Sequence, residues 1–169
     1  AITSIGSSAS DSLSLDANWM TTSVTKMGRM FLSCDKLQTV NISNLAKAAN
    51  VDLVYAFAEC PQMKNFTWTS TSAVGATPNF SHMLENSGKS GSGMTVSFSS
   101  ASYMTAPKSM EAMFNGCTKL NSLDTTGLST ANLPNNFTPV AANGSGGTGD
   151  CGMNDMFTGC TAMFDKTNR

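Results

Sequence analysis

Charge is what this sequence has least of. Asp, Glu, Lys and Arg together make 12% of its 169 residues, against about 25% in an average soluble domain. The surface must therefore be wetted by uncharged groups, and Ser, Thr, Asn and Gly are the ones present in quantity. With a net charge of −1, there is no basic footprint for nucleic acid and no strong field for steering. No apolar run approaches the roughly 20 residues that span a bilayer, so no membrane insertion is expected. A charged segment followed by an apolar one is missing at Ala1, from which a secretory leader already removed is expected.

Histidine is nearly absent as well. His82 is the sole imidazole, so acid–base chemistry, which needs convergent His or paired carboxylates, has little to draw on. Glu59, Glu85 and Glu111 recur near one motif and read as solvated surface charges. The sequence has neither a G-x-S-x-G nucleophile turn nor a G-x-x-x-x-G-K-[ST] phosphate loop. The glycines of "SGKSGSG" and "NGSGGTGD" read as loop insertions. No catalytic residue, metal or cofactor is expected.

What the chain does have is a phrase written five times: apolar, two residues, apolar, aromatic, two residues, Cys. It runs through Met27, Met30, Phe31 and Cys34; Leu53, Ala56, Phe57 and Cys60; Met110, Met113, Phe114 and Cys117; and Met153, Met156, Phe157 and Cys160. A weaker copy uses Phe80, Met83, Leu84 and Ser87. Successive copies begin 26, 27, 30 and 43 residues apart, the drift that loops of variable length introduce between fixed structural units. Within a copy the apolar positions fall at i, i+3, i+4 and i+7, which predicts about two turns of helix. After the Cys the period becomes two: Val40 and Ile42, Phe66 and Trp68, and Val96 and Phe98 alternate with Thr, Asn or Ser, predicting short half-buried strands. Leu123 opens the matching segment of the fourth copy.

A unit that small cannot close a core alone, whereas stacked units bury one another's apolar edges. The expected fold is therefore an α/β repeat solenoid of about five coils, each a short helix plus a short parallel strand, with strands about 4.8 Å apart. Cys34, Cys60, Cys117 and Cys160 should form a column interrupted by Ser87, as small buried hydrophobes. Cys151 lies outside the pattern and either bridges to Cys160 or stays free; five cysteines in all leave one unpaired unless a partner supplies another.

The lead-in "LDANWMTTSVTKMGRMFLSCDKLQTVNI" resembles the BspA-like leucine-rich repeat of bacterial surface proteins, and "LDTTGLSTANLPNNF" repeats it less faithfully. The resemblance covers roughly residues 13 to 165. It implies an extracellular leucine-rich-repeat solenoid used for attachment or as a spacer, and brings no catalytic residues with it.

The sequence thus divides into a flexible or partner-ordered arm (1–12) and a solenoid (13–169) with a loop insertion at 134–151. After Cys160 comes "TAMFDKTNR" rather than a strand. No C-terminal cap is expected, and a further subunit or domain is expected to cover the last coil. Phe137 and Val140 in the insertion, with Met163 and Phe164, are the candidate subunit contacts. The candidate binding face consists of the outward strand residues: Thr39, Asn41 and Ser43, then Asn65, Thr67 and Thr69, then Thr95, Ser97 and Ser99, then Ser122 and Asp124. It offers hydroxyl and amide groups to glycan or protein. N-glycosylation sequons stand at Asn41, Asn65, Asn79, Asn136 and Asn143. Two functions fit: a non-enzymatic adhesion or recognition module at a cell surface, or a structural subunit of an extracellular filament or a virion. Both imply other protein subunits as partners, in a homo-oligomer or a larger assembly.

Overall fold

The alternating segments form strands, and the strands pair in the order in which the chain writes them. The structure, a computed structural model, describes residues 11–15, 26–43, 52–69, 79–99, 107–127 and 153–164. Strands β1 (Asp11–Leu15), β2 (Leu37–Ser43), β3 (Asn65–Thr69), β4 (Met94–Phe98) and β5 (Leu120–Asp124) make one five-stranded sheet in sequential order. Every pairing is parallel. Val40, Phe66, Val96 and Leu123 share one column, and Ile42, Trp68 and Phe98 the next. All but Leu123, which packs half-buried against the cluster, are buried in a single hydrophobic core.

The Met-Phe-Cys phrase is not helical. Among the described residues there is no α-helix, only one 3-10 turn at Thr161–Phe164. Each copy is instead a run of tight turns in which amides alternate between two kinds of partner. Within a coil, Met30 N–H donates to Met27 C=O at 3.3 Å, and Met113 N–H to Met110 C=O at 3.2 Å. Between coils, Phe31 N–H donates to Ala56 C=O at 2.8 Å, Phe57 to Met83 at 2.9 Å, Leu84 to Met113 at 3.0 Å and Phe114 to Met156 at 3.0 Å. The back of the stack is thus a second ladder, built from turns.

Spacing explains why helices lose. An α-helix with its side chains is about 10 Å across, so helices on consecutive coils cannot stack at the roughly 4.8 Å rise that a parallel sheet sets. A helix would also spend its amides internally, leaving none to tie coils together. Turns keep the i, i+3, i+4, i+7 positions on one side and free every second amide for the neighbour. The cost falls on the backbone. The third residue of each turn takes a positive φ, as a type II turn requires. In four coils this position carries Arg29 (φ 59°), Tyr55 (57°), His82 (56°) and Ala112 (49°), and in the fifth Asp155 (53°). Four residues on, the same conformation recurs at Ser33, Glu59, Asn86, Gly116 and Gly159.

In three of the coils the residue before the phrase supports the first turn. Asp52 Oδ1 accepts from Val54 N–H at 3.0 Å, Asn79 Oδ1 from Ser81 N–H at 3.0 Å, and Ser109 Oγ from Glu111 N–H at 3.2 Å. These residues also bridge one another in parallel, after Lys26. Short polar side chains bonding two residues ahead favour turns over helix interiors, which reinforces the choice.

The phrase residues line the core side of this ladder. Met27, Phe31, Cys34, Phe57, Cys60, Met110, Met113, Phe114, Cys117, Met156 and Cys160 are buried, and Met30 and Phe157 pack half-buried against them. Met153 departs from the expected core: it is 41% exposed. It opens the outermost described turn segment, where none of the described coils covers it.

Candidate functional site

On the solvent side of the sheet the pairing register aligns the polar residues in columns, in the alignment that the repeat spacing gives. Thr39 pairs with Asn65, Asn65 with Thr95, and Thr95 with Ser122. Asn41 pairs with Thr67, Thr67 with Ser97, and Ser97 with Asp124, while Ser43 pairs with Thr69 at the rim. Ser99 follows β4, exposed, with its N–H donated to Trp68 C=O at 3.2 Å. The columns begin one strand earlier than the repeats suggest, because Ser12 and Ser14 of β1 pair with Thr39 and Asn41. Ser-rich composition around them hides the period of two, although Leu13 and Leu15 mark it. Asn41, Asn65, Thr69, Thr95 and Ser122 are exposed, and Thr39, Thr67, Ser97 and Asp124 half-buried between neighbours.

Asp124 supplies the one charge among these residues. Its Oδ1 accepts from Thr126 N–H at 2.9 Å and its Oδ2 from Ser97 Oγ–H at 3.2 Å. The Thr126 backbone bond first, then the Thr126 hydroxyl and after it that of Ser97, hold its pKa below the usual carboxylate range. The contribution of these bonds to stability is present at neutral pH and lost as pH falls through that lowered value. Elsewhere the face offers only neutral donors and acceptors, spaced about 4.8 Å across strands and about 6.6 Å along them. Such an array can bond a repetitive polar partner at many points.

The other candidates separate. Met163 packs half-buried against the core with its N–H bonded to Cys160 C=O at 3.2 Å. Phe164 closes the 3-10 turn. Phe137, Val140, Cys151, Asn136 and Asn143 lie outside the described residues. Of the remaining sequons, Asn41 and Asn65 stand exposed on the polar face, whereas Asn79 is bound to Ser81 Oγ at 2.8 Å as well as to its N–H. His82 belongs to the back of the stack: its ring lies 4.5 Å from that of Tyr55, over which Arg29 sits at 5.4 Å, and its Nδ1 meets Glu85 Oε2 at 2.8 Å. Glu59 accepts from Asn86 Nδ2 at 2.8 Å. Glu111 stands half-buried in the fourth turn segment.

The column of Cys34, Cys60, Ser87, Cys117 and Cys160 is wholly buried, and none of its four cysteines is in a disulfide. It forms a rung system of its own. Cys60 Sγ donates to Phe31 C=O at 3.3 Å, Ser87 Oγ to Phe57 C=O at 2.7 Å, Cys117 Sγ to Leu84 C=O at 3.0 Å and Cys160 Sγ to Phe114 C=O at 3.0 Å. The hydrogen bond with Cys34, then burial, pushes the Cys60 thiol far up; burial pushes Cys117 up as well, and Cys160 to about 11. Thiols held neutral in this way are poor nucleophiles and poor metal ligands. Among the described residues no three His, Cys, Asp or Glu side chains are grouped to hold a metal ion, and no helix is long and apolar enough to cross a membrane.

Compared with known protein families, characterised proteins and solved structures, the chain matches none.

Proposed function

We propose that this protein is a non-enzymatic extracellular surface module that recognises a glycan or a protein through the polar face of its parallel sheet. On this reading the coil is a form of the leucine-rich repeat that the sequence resembles, with turns in place of the helix. The observation that carries the reading is the alignment of Thr, Asn and Ser across all five strands, with Asp124 as the single charge among them. A single exposed hydrogen bond yields little net affinity, about 1 kcal/mol, so the fitting ligand is an extended one that meets several rungs at once. Burial of the four thiols is compatible with an oxidising exterior, since it shields them from exchange. The test is binding of the protein to an array of glycans and of surface proteins, repeated with Thr67→Lys. Thr67 sits mid-face between Asn41 and Ser97, so the variant should fold normally and lose the bound ligand. Unchanged binding by Thr67→Lys, or no ligand on either array, would count against this face.

A further inference from the structure

We propose that the corner joining the turn segments to the sheet binds an acidic polysaccharide, which lies along the stack with its carboxylate or sulfate groups on a row of four lysines. The proposal goes beyond the sheet-face reading: the corner is a separate surface with a ligand chemistry of its own, and each reading holds without the other.

The net charge of −1 hides a segregation. Between the Cys or Ser of the buried column and the strand that follows it, the first four coils place Lys36, Lys64, Lys89 and Lys119, one in each. All four are exposed, and among the described residues none is ion-paired. The only acid in these four stretches is Asp35, whereas the turn segments behind them hold five acids against three cations.

Backbone bonds lock the stretches side by side. Lys64 N–H donates to Gln38 C=O at 2.8 Å, Thr95 N–H to Lys64 C=O at 2.8 Å and Met94 N–H to Lys119 C=O at 2.7 Å. Ser90 N–H on Pro61 C=O at 2.9 Å ties in the stretch that carries Lys89. The lysines therefore come one per coil, on levels about 4.8 Å apart. Like charges on neighbouring levels repel within a Debye length of about 8 Å, and an extended polyanion relieves that repulsion at every level.

The third coil is shaped to keep the row continuous. Cys34 and Cys117 are each followed by two residues before the strand, and Ser87 by six, in the stretch "SGKSGSG". The extra residues lie against the corner: a Cβ on Gly91 would stand 3.8 Å from Lys64 Cγ, and one on Gly93 2.6 Å from Asn121 Nδ2. Glycine thus lets the insertion settle between the neighbouring coils while Lys89 stays exposed.

A saccharide fits this corner better than a nucleic acid does. Gln62, Ser90 and Asn121 add amide and hydroxyl groups beside the lysines, of the kind that bond sugar hydroxyls. The four stretches contain no aromatic residue on which a base could stack and no arginine to grip a phosphate with two bonds.

Binding of the protein to heparin and to polygalacturonate tests this, with dextran as the uncharged comparison and a DNA duplex as a polyanion of another kind. One or both acidic polysaccharides should bind, more weakly as salt rises, and the tighter of the two tells whether sulfate or carboxylate is the group held. Dextran should not bind, and the duplex should bind more weakly than the polysaccharide. Lys64→Gln combined with Lys119→Gln should weaken polysaccharide binding about tenfold, since each exposed ion pair is modest on its own. Lys26→Gln combined with Lys108→Gln removes the same charge from two exposed lysines of the turn segments and should change it less than about twofold. Circular dichroism like that of the parent shows that both variants are folded. Failure to bind either acidic polysaccharide, a duplex bound as tightly, or equal losses in the two double variants would each overturn the proposal. The sheet-face reading is decided separately, by Thr67→Lys.

Discussion

Ser87 occupies the place that cysteine holds in the other four coils, and its hydroxyl uses both hydrogen-bonding roles: it donates to Phe57 C=O and accepts from Cys60 N–H at 3.0 Å. Removing it strands two buried backbone groups, which costs about 1–3 kcal/mol. Ser87→Ala should therefore lower the urea midpoint clearly, and Ser87→Cys, which restores a weak donor to the column, should lower it less. Equal losses in the two variants would mean that the hydroxyl's bonds contribute nothing. At Ser33 the strain is in the backbone. A non-glycine residue in the left-handed region costs about 1–2 kcal/mol, and Ser33 sits there at φ 60°, where the fourth and fifth segments have Gly116 and Gly159 at 70° and 77°. Ser33→Gly is expected to raise the thermal midpoint by a few degrees, and Gly116→Ala to lower it, the more so because a Cβ there would run into the Asn86 side chain.

For the elements, legibility in the sequence depends on whether a pattern has one physical solution or two. Alternation of Val40 and Ile42, or Phe66 and Trp68, has one: a strand with one face buried, whose register cannot slip by a residue without exposing the core. That is why the columns of the polar face can be aligned from the repeat spacing alone. The i, i+3, i+4, i+7 spacing has two solutions, since helices and stacked turns both present those positions on one side. The discriminating signals are present but local. Gly116 and Gly159 stand directly before their cysteines, where a helix has no use for positive φ, and Asp52, Asn79 and Ser109 precede their phrases as turn-favouring side chains. Strand β1 is not legible, because its alternation is hidden among serines.

Across the whole molecule, the thiol column makes stability depend on alkaline pH. Cys160 titrates at about 11 in the folded state and Cys60 and Cys117 higher still, all above the ordinary value of 9.0. Because folding favours the neutral thiol, its stabilising effect is complete below pH 9 and is lost as pH rises through 11. The urea midpoint should accordingly hold steady between pH 7 and about 8.5 and fall steadily above that. A midpoint flat to pH 11 would show that these thiols are not buried as a column. The same burial predicts that iodoacetamide labels Cys34, Cys60, Cys117 and Cys160 only after unfolding, as read by peptide mass.

Sheet face and thiol column both depend on the turn segments stacking at the rise of the strands. Scalar couplings across hydrogen bonds, measured by NMR on labelled protein, observe that stacking directly. Couplings are predicted from the amide nitrogens of Phe31, Phe57, Leu84 and Phe114 to the carbonyl carbons of Ala56, Met83, Met113 and Met156. Couplings instead from Phe31 to Met27 and from Phe114 to Met110, four residues back in the same coil as in an α-helix, would contradict the account.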